Sequence, residues 1–293
     1  MSTRKWIVAA LAALLGLCVL LAVVAVPRTP AAQTADVAIL MYHAFTEDEA
    51  DTGSLCTLAS EFARQLSALR DAGYTSVGYA DLIEFVNGEG KLPEKPLLIS
   101  IDDGYQNNLD LAAPLLETYG FCANIAVIGV SIGHTTYKDT DIPITPHFSL
   151  EDARPWIERG VLTVTTHSYD MHQVTAVDGA GCRRGVLQMP GEAEPDYIAA
   201  LTQDYTRAQE QLAGLPGTPL PVFTYPNGAY SELSERVLQE LGVQVTITIA
   251  DGANRLVKGE PETLRLLHRI HVWRGTKPDM LLSRIDAALQ ALR

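Results

Sequence analysis

Two carboxylates stand side by side in Ser100-Ile101-Asp102-Asp103-Gly104, at the end of the apolar run Leu97–Ile101. Side chains alternate along a strand, so neighbouring acids cannot point the same way. One can hold a cation while the other takes a proton, and the glycine lets the backbone turn. Further on, His167-Ser168-Tyr169-Asp170-Met171-His172 sets two imidazoles five residues apart. On an α-helix that spacing puts them about 140° apart around the axis, which excludes a helical metal pair. A loop leaving a strand can fold both onto one ion. Neutral imidazole with carboxylate suits zinc or a similar divalent metal. An isolated Asp-Gly is equally an ordinary turn, and two loop histidines an ordinary exposed pair. The combination favours a metal.

These groups need elements to position them, and each follows a strand candidate. His43 comes after Val37–Tyr42, Asp102 and Asp103 end Leu97–Ile101, and His167 comes after Val161–Thr166. Tyr225-Pro226-Asn227-Gly228 closes a further strand, Pro221–Tyr225. Cys122–Ile128 and Gln244–Ile249 are also strand candidates. Helical periodicity covers Leu58–Ala72, with Phe62, Leu66 and Leu69 on one face and Gly73 as the stop. Other helices are expected over Asn107–Tyr119, with Pro114 awkwardly inside, and over Leu150–Arg159, Glu194–Leu212, Ser231–Leu241 and Pro278–Leu292. Strands spaced by helices imply βα units and a mostly parallel sheet. About seven strands suggest an α/β fold of the distorted (β/α) barrel kind, in which strand C-terminal ends carry the chemistry.

The Asp-Asp-Gly, the His-Ser…His and the Phe-x-Tyr-Pro-x-Gly stretch (Phe223 to Gly228) together resemble polysaccharide deacetylases of the NodB-homology type, over roughly residues 37–275. That family commonly spaces its histidines four apart. The spacing of five here, and the opening Leu40-Met41-Tyr42-His43, are similar to its poly-N-acetylglucosamine deacetylase subgroup. The resemblance implies hydrolysis of an N-acetyl group on an N-acetylglucosamine polysaccharide, either an exopolysaccharide or peptidoglycan. It gives Asp102 as general base, and Asp103, His167 and His172 as ligands of a divalent ion, Zn2+ first, with Co2+ or Ni2+ as alternatives. Such an ion brings the pKa of its water towards about 7. The Tyr225 amide is the implied donor to the tetrahedral oxyanion. The general acid is His43 in the subgroup; the wider family's late Leu-x-His motif would give His268. In the wider family an arginine ahead of the Pro-aromatic motif pairs with the catalytic Asp, and Pro221–Pro226 holds none. Arg269 is expected to approach from another strand, an ordinary surface arginine being the alternative. Tyr230 and Trp273 could form a sugar-stacking wall, although buried packing suits each better.

Two other function classes fit parts of the chain. Gly129-Val130-Ser131-Ile132-Gly133 matches the serine-hydrolase elbow, but that elbow must run into a helix, whereas His134 to Pro146 has the character of a loop. A non-catalytic glycan-binding protein on the same scaffold would not need a base beside a metal ligand. Cys182-Arg183-Arg184-Gly185, after the histidines, is a substrate loop or simply an exposed connection.

Arg4 and Lys5 precede an uncharged run of 21 residues from Trp6 to Val26, long enough to span a bilayer. Residues 1–26 are expected to be a signal peptide or membrane anchor, 27–36 a tether, and 37–293 the catalytic domain, exported and either anchored or secreted. The membrane is then one partner and the N-acetylated glycan the other. The whole chain of 293 residues carries a net charge of −13, and the segment before Asp36 holds no acid, so the exported part is more acidic still. Nucleic acid is therefore a poor partner. Three cysteines, Cys56, Cys122 and Cys182, follow the first segment, too few and too odd for a disulfide framework, and Cys122 is expected to be a buried thiol.

Overall fold

The computed structural model describes residues 33–50 and 53–293. The expected signal or anchor, and most of the tether, lie outside the described residues. Among those described, no helix is long and apolar enough to cross a membrane.

β1 (Thr34–Tyr42) passes through a short parallel ribbon, β2 (Ala44–Thr46) with β3 (Cys56–Leu58), into α1 (Ala59–Asp71). β4 (Thr75–Ser76) and α2 (Tyr79–Val86) precede β5 (Pro96–Asp103). Then come α3 (Ala113–Tyr119), β6 (Ala123–Val127), α4 (Leu150–Glu158), β7 (Leu162–Thr166) and α5 (Glu194–Leu212). β8 (Val222–Thr224), α6 (Glu232–Glu240), β9 (Val245–Ile247), β10 (Ala253–Val257), β11 (Ile270–His271) and α7 (Pro278–Gln290) complete the chain. The main strand order is β10-β1-β5-β6-β7-β8-β9, seven strands, parallel except where β10 runs against β1. One segment joins β9, at one end of this order, to β1, next to the other end. Leu267 bridges to Ile247 of β9, and β11 pairs in parallel with Leu40 and Met41 of β1. The result is the expected distorted α/β barrel.

Alternation along the strands sorts the residues by face. Ala38, Leu40 and Tyr42 of β1 and Leu97, Ile99 and Ile101 of β5 join Phe62, Leu66 and Leu69 of α1 and Leu281 and Ile285 of α7 in the largest apolar cluster. The opposite face of β5, β6 and β7 carries Ser100, Asp102, Asn124 and Thr165, all buried. Water-excluding layers on one side thus leave a buried polar surface on the other, and the site is built there.

Pro114 resolves differently from a single long helix. Asn108–Ala112 forms a π-helical turn, and α3 restarts at Ala113 with Pro114 in its first turn. There the missing N–H costs no helical bond. π-turns concentrate at functional sites, and this one turns two amides onto the strand beside it. Asn108 Nδ2 donates to the His43 carbonyl at 2.8 Å, and Asn107 Oδ1 accepts the Phe45 N–H at 3.1 Å.

The loop after β7 is held from two sides. Ser168 adopts φ +72°, which turns the chain out of the strand, and its Oγ accepts the Met171 N–H at 3.1 Å. Asp204 of α5 accepts the Tyr169 and Asp170 N–H groups at 2.9 and 2.7 Å. Gly129 lies directly beneath, where an added Cβ would fall 2.6 Å from the Tyr169 ring and 2.9 Å from the Tyr169 Cα. Gly129→Ala is therefore expected to destabilise the protein by about 1–3 kcal/mol. Urea unfolding checks this, and an unchanged midpoint would mean that the loop moves aside at no cost.

Burial raises the Asp204 carboxyl from 3.8 to about 6, although its two accepted amides pull the other way. The folded protein then binds this proton more readily than the unfolded chain. The contribution of this group to stability is fully present below about pH 4 and is lost as pH rises through about 6, about 3 kcal/mol in all. Asp204→Asn cannot ionise, so the stability difference between wild type and variant should change over that window and level off above it. Urea unfolding at a series of pH values measures the slope, and parallel curves for the two proteins would exclude an Asp204 titration.

Candidate metal centre and catalytic carboxylate

Asp102 and Asp103 close β5, and their backbone sends them apart. Asp102 continues the alternation of Ser100, whereas Asp103 has φ +76°, a left-handed conformation uncommon for a residue with a side chain. Register does the rest. Met41 pairs with Ser100 and Tyr42 with Ile101, so the next residue, His43, comes up beside Asp102. The His43 Nε2 stands 3.9 Å from Asp102 Oδ2.

The other oxygen, Asp102 Oδ1, accepts from Arg269 Nη1 at 2.7 Å. Arg269 is 0 % exposed, so the surface-arginine alternative fails. Its Nε donates to the Thr248 carbonyl at 2.8 Å and its Nη1 also reaches Ser100 Oγ at 3.2 Å. The arginine gets there because Leu267 is bonded to β9 and Ile270 to β1, with Arg269 between them. Burial alone would raise the Asp102 carboxyl. The Arg269 charge outweighs it, with His167 and His43 adding to the effect, and holds the group well below the usual carboxylate range. Asp102 is thus charged at neutral pH.

Asp103, His167 and His172 converge on one point. The Asp103 Oδ1 lies 3.7 Å from Nε2 of each histidine, and the three ligand atoms fall within 4.8 Å of one another. Two donors on one tetrahedral zinc, each at 2.0–2.2 Å, stand about 3.4 Å apart. The His167 Nδ1 lies 2.8 Å from the Thr224 carbonyl, which can only accept, so Nδ1 carries the proton and Nε2 presents its lone pair. Burial lowers the His167 pKa to about 4, which keeps the ring neutral at physiological pH. Asp103 Oδ1 is buried without a hydrogen-bond partner. A buried, unpartnered carboxylate oxygen facing two imidazole nitrogens fits a divalent cation.

Two expected groups are placed differently. The Tyr225 N–H donates to the Ile247 carbonyl at 3.0 Å, completing the β8–β9 ladder, so it is not available to an oxyanion. Its ring is buried in the cluster with Phe223 and Tyr197, and its hydroxyl donates to Glu235 at 2.5 Å. Tyr225 therefore holds the strand end to α6. His268 is exposed beside Gly252, because it alternates with the inward Arg269, and the structure does not bring it to Asp102. Ser131 sits in a single 3-10 turn that runs into a loop, without the helix an elbow requires. Tyr230 and Trp273 are both exposed rather than packed inside. Cys122 is half-buried, with burial raising its thiol pKa.

Sequence reasoning gave no role at the site to His271, Tyr105 or His147. His271 stacks edge-on against His43 with ring centroids 5.9 Å apart, and Trp273 follows at 5.8 Å, in a row leading to the surface. His147 packs on Tyr105 at 4.9 Å, and burial, with the Asp103 charge nearby, pushes the Tyr105 hydroxyl pKa up. Tyr105 directly follows the Asp-Asp-Gly, which was a usable signal; His147 lies in a proline-bounded loop and gave none.

A model of the family described as "Polysaccharide deacetylase" matches residues 89–246, more than half of the chain and including both carboxylates and both histidines. YxkH of Bacillus subtilis, whose name carries the same family, is 25% identical over 255 residues, covering 87% of this chain and 76% of its own. The poly-beta-1,6-N-acetyl-D-glucosamine N-deacetylase of Escherichia coli K12 is 21% identical over 226 residues, and this match covers 73% of the present chain but 34% of that protein. Among solved structures, a de-N-acetylase from Aggregatibacter actinomycetemcomitans superposes with a TM-score of 0.73 at 19% identity, over 85% of this chain and 100% of the other, a likeness of fold. With its matched core, its seven-strand barrel and its paired acids and histidines, this chain belongs to the polysaccharide deacetylase family of hydrolases.

Proposed function

We propose that the protein removes acetyl groups from the amino sugars of an N-acetylglucosamine-containing polysaccharide, with a divalent cation at Asp103, His167 and His172. The observation that carries this reading is the pair of adjacent acids with separate partners, one on Arg269 and one facing two imidazoles. When bound, a divalent cation supplies a nucleophilic water at neutral pH and polarises the acetyl carbonyl. Asp102 accepts the proton of the attacking water. Arg269 fixes the orientation of that carboxylate and keeps it charged before the proton arrives. His43, 3.9 Å from Asp102, hands a proton to the departing sugar amine, which leaves poorly as an anion. The exposed rings of Trp273 and Tyr230 offer flat apolar faces for pyranose rings. Export, with the first 26 residues as signal or anchor, would bring the enzyme to a cell-surface glycan, and zinc is the cation the donor set suits first.

An acetate-release screen tests the reading. The purified protein is incubated with chitooligosaccharides, peptidoglycan and β-1,6-linked N-acetylglucosamine, each with added zinc and with a chelator. Release from at least one glycan, abolished by the chelator and restored by metal, is expected. No release from any of the three with zinc present would favour the glycan-binding alternative. Release that survives chelation would remove the cation from the account.

A further inference from the structure

The segment between β6 and α4 takes no part in the chemistry above, yet it is fastened to the loop that carries His172. Within it, Tyr137 and Lys138 sit on a small hairpin closed by the Thr136–Pro143 bridge and by the Tyr137 N–H on the Ile142 carbonyl at 2.8 Å. From this hairpin the Lys138 ammonium reaches two carboxylates of the histidine loop, Asp170 Oδ1 at 2.7 Å and Asp178 Oδ1 at 3.2 Å. The Tyr137 hydroxyl donates to the same Asp178, whose other oxygen accepts the Val174 N–H at 2.7 Å. His172 thus lies between two tethered points, Asp170 and Val174. Among the described residues, Lys138 is the one cation paired with either acid. It is held at φ +48°, which a residue with a side chain seldom adopts without cause.

The two metal-facing histidines differ in what fixes them. The His167 ring is anchored by Thr224 and its side chain is 3 % exposed. The His172 ring has no protein hydrogen bond among the described residues beyond its approach to Asp103, and is 18 % exposed. Apart from its contact with the His167 ring, 5.0 Å between centroids, its position depends on its backbone. Asp204 secures the first half of that backbone, at Tyr169 and Asp170, and the second half is spanned by Lys138.

We propose that Lys138 is a positioning residue for the metal centre: by gripping Asp170 and Asp178 it fixes the backbone on both sides of His172 and holds that imidazole within ligand distance of Asp103. This rests on the metal reading of Asp103, His167 and His172, and adds that a residue of another loop sets the affinity. Partners of metal-ligand shells are worth about 10–100-fold in affinity.

The test uses the full chain, stripped of metal, with zinc affinity measured by competition against a chromophoric chelator and with the visible spectrum of the cobalt-loaded protein. Lys138→Ala is expected to weaken zinc binding by about tenfold or more and to alter the cobalt bands, while Lys138→Arg stays within about threefold of wild type. Asp178→Asn, which removes one end of the grip without touching the lysine, should weaken binding in the same direction and serves if Lys138→Ala does not fold. Wild-type affinity and an unchanged cobalt spectrum in Lys138→Ala or Asp178→Asn would overturn the proposal, as would a Lys138→Arg protein as weak as Lys138→Ala. A wild-type protein that binds no zinc would overturn the metal reading itself, and this inference with it.

Discussion

Two ionised carboxylates on adjacent buried residues repel each other and lose hydration, so neither persists without its own compensation. Asp102 and Asp103 are compensated in opposite directions. Asp102 leans on a guanidinium with no exposed surface, and Asp103 leaves an oxygen facing two imidazoles. The left-handed backbone at Asp103 makes the parting possible, since a regular strand would carry it back towards the apolar helix layer with Ile99 and Ile101. Everything else around the site serves to keep these partners in place.

That requirement explains features that look unrelated in the chain. Closure of the barrel through 267–271 is what delivers Arg269, because the residues flanking it are bonded to β9 and β1. The π-helical turn after β5 returns Asn108 to the His43 backbone, tying the expected acid to the segment that follows the expected base. Thr224, at the end of β8, selects the tautomer of His167, so β8 contributes a carbonyl rather than the amide that the motif suggested. A site made of strand ends is only as exact as the strand register, and here register links β1, β5, β6 and β7 in one parallel run.

Much of this was legible in the sequence, for a definite reason. Asp102, Asp103, His167 and His43 each follow an apolar run that forms a strand, and in a parallel barrel one rule, strand end first, collects them. The helix stripe of Phe62, Leu66 and Leu69 was equally readable, because it obeys a local period. Arg269 was reachable by a missing partner: a buried acid needs a cation, and the expected motif lacked one. What stayed hidden depends on contacts distant in the chain. Asp204 meets residues 34 and 35 positions away, and Lys138 meets Asp178 at a separation of 40. No local pattern marks such pairs. Tyr225 was misjudged because whether an amide is spent on a ladder is a property of the sheet. His268 failed against Arg269 by strand alternation, which one adjacent residue decides. α2, with Gly78 as its N-cap and Asp81 accepting the Gly78 N–H at 2.7 Å, is a short helix that the helical periodicity did not mark out.

The division of labour between the two acids is open to a direct measurement. Asp102→Asn and Asp103→Asn proteins, shown to be folded by circular dichroism, are stripped, reloaded with zinc, desalted and assayed for bound metal and for acetate release. Asp102→Asn should keep a full complement of zinc and release no acetate, whereas Asp103→Asn should lose both. Equal loss of zinc in the two variants, or zinc retained by Asp103→Asn and lost by Asp102→Asn, would contradict the account.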